Sequence, residues 1–321
     1  MIIVTGASGF IGSCLVSYLN QKGFEDLILV DEFDRADKQA NLEGKKFNEK
    51  VIRETFYDWL KGHIGPIDLI FHYGARTDTT EFDESVFEKL NLGYSKMIWE
   101  YCTQFQVPLI YASSAATYGG GEHAYNDDDD SVYKLKPLNP YGRSKHDFDL
   151  WVLKQEKSPP FWAGLKFFNI YGPNEYHKGR MASVVFHAFN QIREKKQLKL
   201  FRSHNDDYKD GMQLRDFCYV KDLLKVSYHF MKNQMQSGIY NLGSGEARAF
   251  LDLGRQVFKS MEVAENIEFI DTPLDIRDKY QYFTEASLSK LRSTGYKDSF
   301  TSLEEGVHDY ISGFLKKEKY F

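Results

Sequence analysis

Short apolar runs alternate with longer amphipathic stretches along the first half of the chain. Residues 2–5, 27–31, 69–72 and 109–113 are strand-length, rich in leucine and β-branched residues, and show almost no polar alternation. Strands apolar on both faces belong inside a parallel sheet that helices cover on both sides. Between them, 11–22 and 84–104 carry helical spacing. The β-α-β-α order predicts an α/β fold with a doubly wound parallel sheet, to which 164–169 adds a further strand. Beyond Asn169 the pattern predicts loops and longer polar helices, with 204–213 exposed. The expected division is a lobe over 1–168 with a return segment near 213–242. A smaller C-terminal α/β substrate-binding lobe covers 169–321.

Composition narrows the partners. A 321-residue chain with 42% hydrophobic and 27% charged residues buries a large core as an ordinary globular protein. The formal net charge of -5 argues against a nucleic-acid binder, which carries a basic stripe. No apolar run approaches the roughly 20 residues of a membrane span, so no membrane partner is expected. Cys14, Cys102 and Cys218 fit neither a disulfide framework nor a metal site, which points to a reducing, cytoplasmic setting. Met1 leads straight into the first strand, so no signal peptide is expected. The four aspartates 127–130 have no other ligands near them and read as a solvated loop; no metal is expected.

Chemistry enters at Gly6-Ala7-Ser8-Gly9-Phe10-Ile11-Gly12, between the first strand and the first helix. Glycines there allow a tight turn and let the backbone approach a pyrophosphate resting on the helix N-terminus. Asp31 ends the second strand about 20 residues later, where a carboxylate accepts from an adenosine ribose hydroxyl. This is the Rossmann arrangement, and it implies a nicotinamide dinucleotide. Asp31 and Glu32 favour NAD by repelling a 2′-phosphate, whereas Arg35 and Lys38 favour NADP by pairing with one. The residues leave that choice open.

A second constellation follows. Tyr141-Gly142-Arg143-Ser144-Lys145 puts a tyrosine and a lysine one turn apart on a helix that Pro140 starts. An ammonium there is expected to lower the phenol's pKa from about 10, so that a tyrosinate accepts a proton from a sugar hydroxyl. Upstream, Tyr111-Ala112-Ser113-Ser114-Ala115-Ala116-Thr117-Tyr118-Gly119 ends a strand in two serines, and Ser114 is placed to bind the reacting oxygen.

With these motifs in order, the chain resembles the extended short-chain dehydrogenase/reductases that act on nucleotide sugars. Within them it is most similar to the ADP-heptose 6-epimerases. The residues carrying the closer likeness are 111–120, Phe167-Phe168-Asn169-Ile170-Tyr171-Gly172-Pro173, and above all His177-Lys178-Gly179-Arg180-Met181-Ala182-Ser183. Further matches are Arg215-Asp216-Phe217, Asn241-Leu242-Gly243-Ser244-Gly245 and Tyr280-Gln281 with Phe283-Thr284, so the likeness runs nearly end to end.

The resemblance implies inversion at C6 of the heptose of an ADP-heptose, through a transient 6-ketone. The dinucleotide, NADP or NAD with NADP slightly favoured, stays bound and is recycled. Tyr141 and Lys178 are implied as the two acid/bases, Lys145 as cofactor-orienting and Ser114 as oxygen-binding. Gly6, Gly9, Phe10, Ile11, Gly12, Asp31, Glu32, Lys38, Tyr73, Gly74, Ala75, Asn91 and Ile170 are implied around the dinucleotide, with Tyr141, Lys145 and Lys178. Ser114, Asn169, Arg180, His187, Phe201, Arg202, Arg215 and Tyr280 are implied around the substrate. A homo-oligomer, a pentamer, is also implied. Glu32, Arg180 and Arg202 depart from the family's pattern, and 204–213 is longer than its loop.

From spacing alone Lys178 reads as a surface lysine and His187 as a helix histidine; the resemblance reverses both readings. Alternatives remain: a UDP- or GDP-hexose epimerase or a reductase of the same superfamily, or a non-catalytic dinucleotide sensor. A 4,6-dehydratase is disfavoured, because Ala115 and Ala116 stand where that chemistry needs an acid pair.

Overall fold

A computed structural model describes residues 1–273, 277 and 281–321. Its centre is a seven-stranded, wholly parallel sheet in the order β10-β6-β5-β4-β1-β2-β3. The strands are β1 Ile2–Thr5, β2 Leu27–Asp31, β3 Glu49–Ile52, β4 Leu69–His72, β5 Leu109–Ser114, β6 Trp162–Phe167 and β10 Gly238–Leu242. Alternate residues of one strand enter different cores. Ile2 and Val4 join the cluster with Leu27, Leu29 and Phe71, whereas Ile3 joins the one with Ile28, Val30 and Ile70. That two-sided burial is why these runs lack polar alternation.

Four helices matter for the site: α1 (Phe10–Gln21), α2 (Tyr94–Phe105), α3 (Pro140–Leu153) and α4 (Val184–Lys195). Asn139 caps α3 by accepting from the Gly142 N–H at 2.8 Å, with Pro140 in the first turn. Ser183 caps α4 through the Phe186 N–H. Each such cap is worth about 1 kcal/mol.

The expected helix over 84–104 runs to Phe105 but is broken by a π-turn at Glu88–Gly93. The strand expected over 164–169 is cut at Phe168. The Ile170 N–H bonds back to the Phe168 carbonyl at 2.9 Å, and β7 (Asn169–Tyr171) leaves for a second sheet. That sheet has the order β11-β9-β7, with β9 Leu214–Tyr219 and β11 Ala247–Ala249; β8 Leu198–Phe201 pairs with β12 Ile267–Ile270.

The second half thus holds more strands than its loop-and-helix pattern predicts, most of them too short to show a period. After β9 the chain passes through α5 (Val220–Lys232), against α1, to β10 beside β6. Among the described residues no helix is long and apolar enough to cross a membrane.

The aspartate run is only partly the solvated loop expected. Asp127 is fully buried: its carboxylate accepts from the Asn241 N–H at 2.7 Å, and Lys290 bonds its carbonyl. Asp128, Asp129 and Asp130 are exposed.

Candidate active site

The glycine loop is built for close approach. Gly6 has φ +69°, and a Cβ on Gly12 would lie 2.1 Å from the Gly6 carbonyl oxygen. No side chain caps α1 after Gly9, so its first-turn N–H groups keep the free donors of a helix start. The Asp31 carboxylate closes the loop from β2, accepting from the Ser8 N–H at 2.9 Å, with the Lys38 ammonium at 3.4 Å. Glu32 faces Arg53 at 3.8 Å, and Arg35 is paired with Asp37. Each acid near the expected ribose therefore has its own cation.

Asn41 donates to the Ser8 carbonyl at 2.8 Å, while its Oδ1 and the Ser8 Oγ are buried without a protein partner. The Ser8 hydroxyl, a free donor beside a helix start in a cradle that any Cβ would fill, fits a dinucleotide pyrophosphate, whereas the Asn41 oxygen can only accept, as from a hydroxyl. Gly74 closes the cradle from β4, where a Cβ would lie 2.9 Å from the Gly6 nitrogen. Tyr73 turns its hydroxyl to Ser227 on α5, leaving only backbone for a ligand, and Ala75 follows Gly74 in the same turn. The Asn91 amide is spent on the Arg76 N–H, the Arg76 carbonyl and Ser144, so it holds this turn in place.

Ser114 stands at the end of β5 and Tyr141 at the start of α3. Burial pushes the Tyr141 phenol above its ordinary range, and the Ser114 hydroxyl acts the other way. The expected lowering of the phenol by Lys145 is therefore corrected. Burial dominates, and the Lys145 ammonium donates to the Ala112 carbonyl at 2.8 Å. Burial brings that ammonium down to about 8, with Asp149 opposing the shift.

Lys178 lies in the 3₁₀ turn Tyr176–Met181, its ammonium 5.4 Å from the Phe10 ring centre at the head of α1. Burial lowers its pKa and Glu175 opposes. Glu175, fully buried, accepts from both the Ser183 N–H (2.5 Å) and its hydroxyl (2.6 Å), closing the turn at its base. His177 meets Asn41 at 3.2 Å and so ties this turn to the glycine loop.

Substrate-side expectations are less gathered. Asn169 is exposed and His187 bonds the Arg180 carbonyl at 3.3 Å, while Ile170, expected around the dinucleotide, sits beside Asn169 on β7. Phe201 ends β8, and exposed Arg202 stands 3.9 Å from Asp210 and 3.8 Å from Asp271. Arg215 is buried, bonded to the Gln281 carbonyl and 5.6 Å from the centre of the Phe250 ring. Tyr280 lies outside the described residues. Within 204–213, Asp210 bonds the Ser203 N–H and Gln213 is buried, so the stretch is only partly exposed. Sequence reasoning gave no role to Ser8 or Asn41, whose partners are distant in the chain, nor to Glu175, which meets Ser183 eight residues on only when the turn closes.

Residues 2–243 match the NAD dependent epimerase/dehydratase family. The chain belongs to that family. It is 46% identical to the ADP-L-glycero-D-manno-heptose-6-epimerase of Fusobacterium nucleatum, over 99% of both chains. It is 45% identical to the enzyme of that name from Nitratidesulfovibrio vulgaris, over 98% of both. The crystal structure of the Helicobacter pylori ADP-L-glycero-D-manno-heptose-6-epimerase superposes with a TM-score of 0.81 at 28% identity, covering 97% of this chain and 95% of that one. As a member of this epimerase family, the protein is an isomerase that works with a nicotinamide dinucleotide. Among the described residues no group of acidic, histidine or cysteine side chains is placed to hold a metal ion.

Proposed function

We propose that the protein inverts C6 of the heptose in ADP-D-glycero-D-manno-heptose, giving the L-glycero epimer. The observation that carries this reading is a pair of proton-transfer candidates on independent supports. Tyr141 sits on α3 beside Ser114, and Lys178 on a separate turn held by Glu175 against the head of α1. A reduction needs one proton donor; an inversion needs one for each face of the ketone. Full-length similarity to enzymes of that name supports the same substrate.

A nicotinamide dinucleotide held by the glycine loop of residues 6–12, Asp31 and Lys145 would supply reversible hydride transfer at C6, with no net consumption of cofactor. Ser114 holds the C6 oxygen by hydrogen bond. Tyr141 moves the hydroxyl proton for one epimer and Lys178 for the other, the lysine eased toward its neutral form by burial. Lys145 orients the dinucleotide, and Asp31 meets the adenosine ribose. We assign Asn169, Arg180, His187, Phe201, Arg202, Arg215 and Tyr280 to the sugar and diphosphate.

Either NADP or NAD fits this scheme, with NADP favoured by resemblance and supported by the Lys38 ammonium 3.4 Å from Asp31. A cytoplasmic setting accords with three buried free cysteines, and a pentamer with the family likeness. The test is a proton NMR assay of the purified protein with ADP-D-glycero-D-manno-heptose and no added cofactor. The L-glycero epimer is expected. Absence of conversion by protein that carries dinucleotide rejects the heptose reading in favour of UDP- or GDP-hexoses.

A further inference from the structure

Beneath Ser114 and Tyr141 lies an ion pair that the proposed reaction does not use. Lys166 on β6 and Asp149 on α3 are both wholly excluded from solvent, with the ammonium 2.7 Å from the carboxylate. Desolvating such a pair costs several kcal/mol per ion, and apolar side chains of similar size often fill the same space with no loss of stability. A charged pair here therefore calls for a reason beyond packing.

Its partners supply one. The Asp149 carboxylate accepts from the Tyr111 phenol at 3.1 Å and the Ser113 hydroxyl at 2.7 Å, both on β5. Lys166 donates a further bond, 2.7 Å, to the Thr117 hydroxyl, and its ammonium lies 5.2 Å from the centre of the Tyr118 ring. Thr117 in turn donates to the Ser114 carbonyl at 2.8 Å. The circuit joins α3, β6, the end of β5 and the 3₁₀ turn Ala115–Tyr118. Ser113 is fixed on one side of it and the Ser114 backbone on the other. Tyr141 and Lys145 stand about two turns and one turn before Asp149 on the same helix.

We propose that the Asp149–Lys166 pair is a positioning device, fixing Ser114 at the end of β5 in register with Tyr141 and Lys145 on α3. The inference rests on the reading of those three residues as the reacting set. Both members of the pair are buried and act through Ser113, Thr117 and the shared helix. Hydroxyls on two different elements must share one carbon–oxygen bond, and a displacement of about 1 Å costs up to ~100-fold in rate. Directional bonds to three hydroxyl groups hold that register, where apolar contacts allow sliding.

The test compares Thr117→Val and the charge-free double variant Asp149→Leu/Lys166→Met with the parent. Melting temperature verifies folding, and kcat is measured separately from KM. Thr117→Val keeps the ion pair and side-chain shape and removes the hydroxyl through which Lys166 reaches the Ser114 carbonyl. We expect kcat to fall about tenfold in Thr117→Val and about 30-fold or more in the double variant, with KM within about twofold. Folded variants that keep kcat within about twofold of the parent overturn the proposal. If the double variant does not fold, Thr117→Val decides alone. If the parent leaves the heptose unchanged, that result rejects the substrate reading only. Crystal structures of the variants then decide: Ser114 Oγ displaced from Tyr141 supports the positioning role, and Ser114 unmoved refutes it.

Discussion

Two influences oppose each other at Tyr141, burial raising the phenol and Ser114 lowering it. Tyr141→Phe removes the proton carrier without disturbing the ring's packing against Phe87. Its kcat is expected to fall by about a hundredfold or more, the usual loss of a general acid/base, and near-normal turnover refutes the role. Lys178→Met keeps the length of the side chain beside Phe10. It is expected to suppress epimerisation while purified protein still carries its dinucleotide, which absorbance after denaturation measures. Asp31→Ala is expected to weaken NAD more than NADP in a binding titration, since the carboxylate suits a free ribose hydroxyl. Tyr141 was legible in the sequence because its chemistry and its spacing to Lys145 coincide within one short segment, and Asp31 through its place at the end of the second strand, whereas Lys178 stood out only through the family resemblance. Glu175, Asn41 and Asp149 were not legible. Glu175 lies two residues before the quoted motif, and its role emerges only when the turn closes on Ser183. Asn41 meets His177 across 136 positions of chain.

Among the elements, the strands of the first half were legible to within a residue or so because burial on both faces leaves a run with no polar interruption. β3 escaped notice as an edge strand with only Val51 buried. The π-turn within 84–105 escaped because its single extra residue shifts the helical period too little to read from so short a stretch. It nevertheless carries Asn91, whose amide holds the Arg76 turn beside the cofactor cradle. The β1–α1 connection tolerates the least change. Gly12→Ala places a methyl group 2.1 Å from a backbone oxygen, so loop and helix must separate. Dinucleotide retention is expected to drop at least about tenfold, equivalent to ~1.4 kcal/mol, with the fold preserved by circular dichroism. Retention at the parent level shows that the cradle is wider than its geometry indicates.

At the scale of the whole molecule, acid sensitivity is expected to arise from histidines whose pKa is lowered by burial. His72 is buried between Thr5 and Ser95, and burial, with the Lys145 charge behind it, brings its pKa down to about 3. An unfolded chain protonates the same ring near pH 6.5. Stability from this group is complete above that value and is lost as pH falls toward about 3, because only the unfolded state gains the proton. Melting temperature is expected to drop between pH 7 and pH 5, more steeply in the parent than in His72→Gln, and equal slopes remove His72 from the account. The order in which the large sheet is completed has a further consequence. β6 gains its outer neighbour only when Gly238–Leu242 arrives, long after the other six strands have left the ribosome. Until then the nascent chain presents Trp162–Phe167 as a bare apolar edge, the kind of surface that recruits another copy. Messages truncated between these two points, and proteolytic fragments ending there, are therefore expected to deposit in inclusion bodies, whereas the full-length chain seals its own edge.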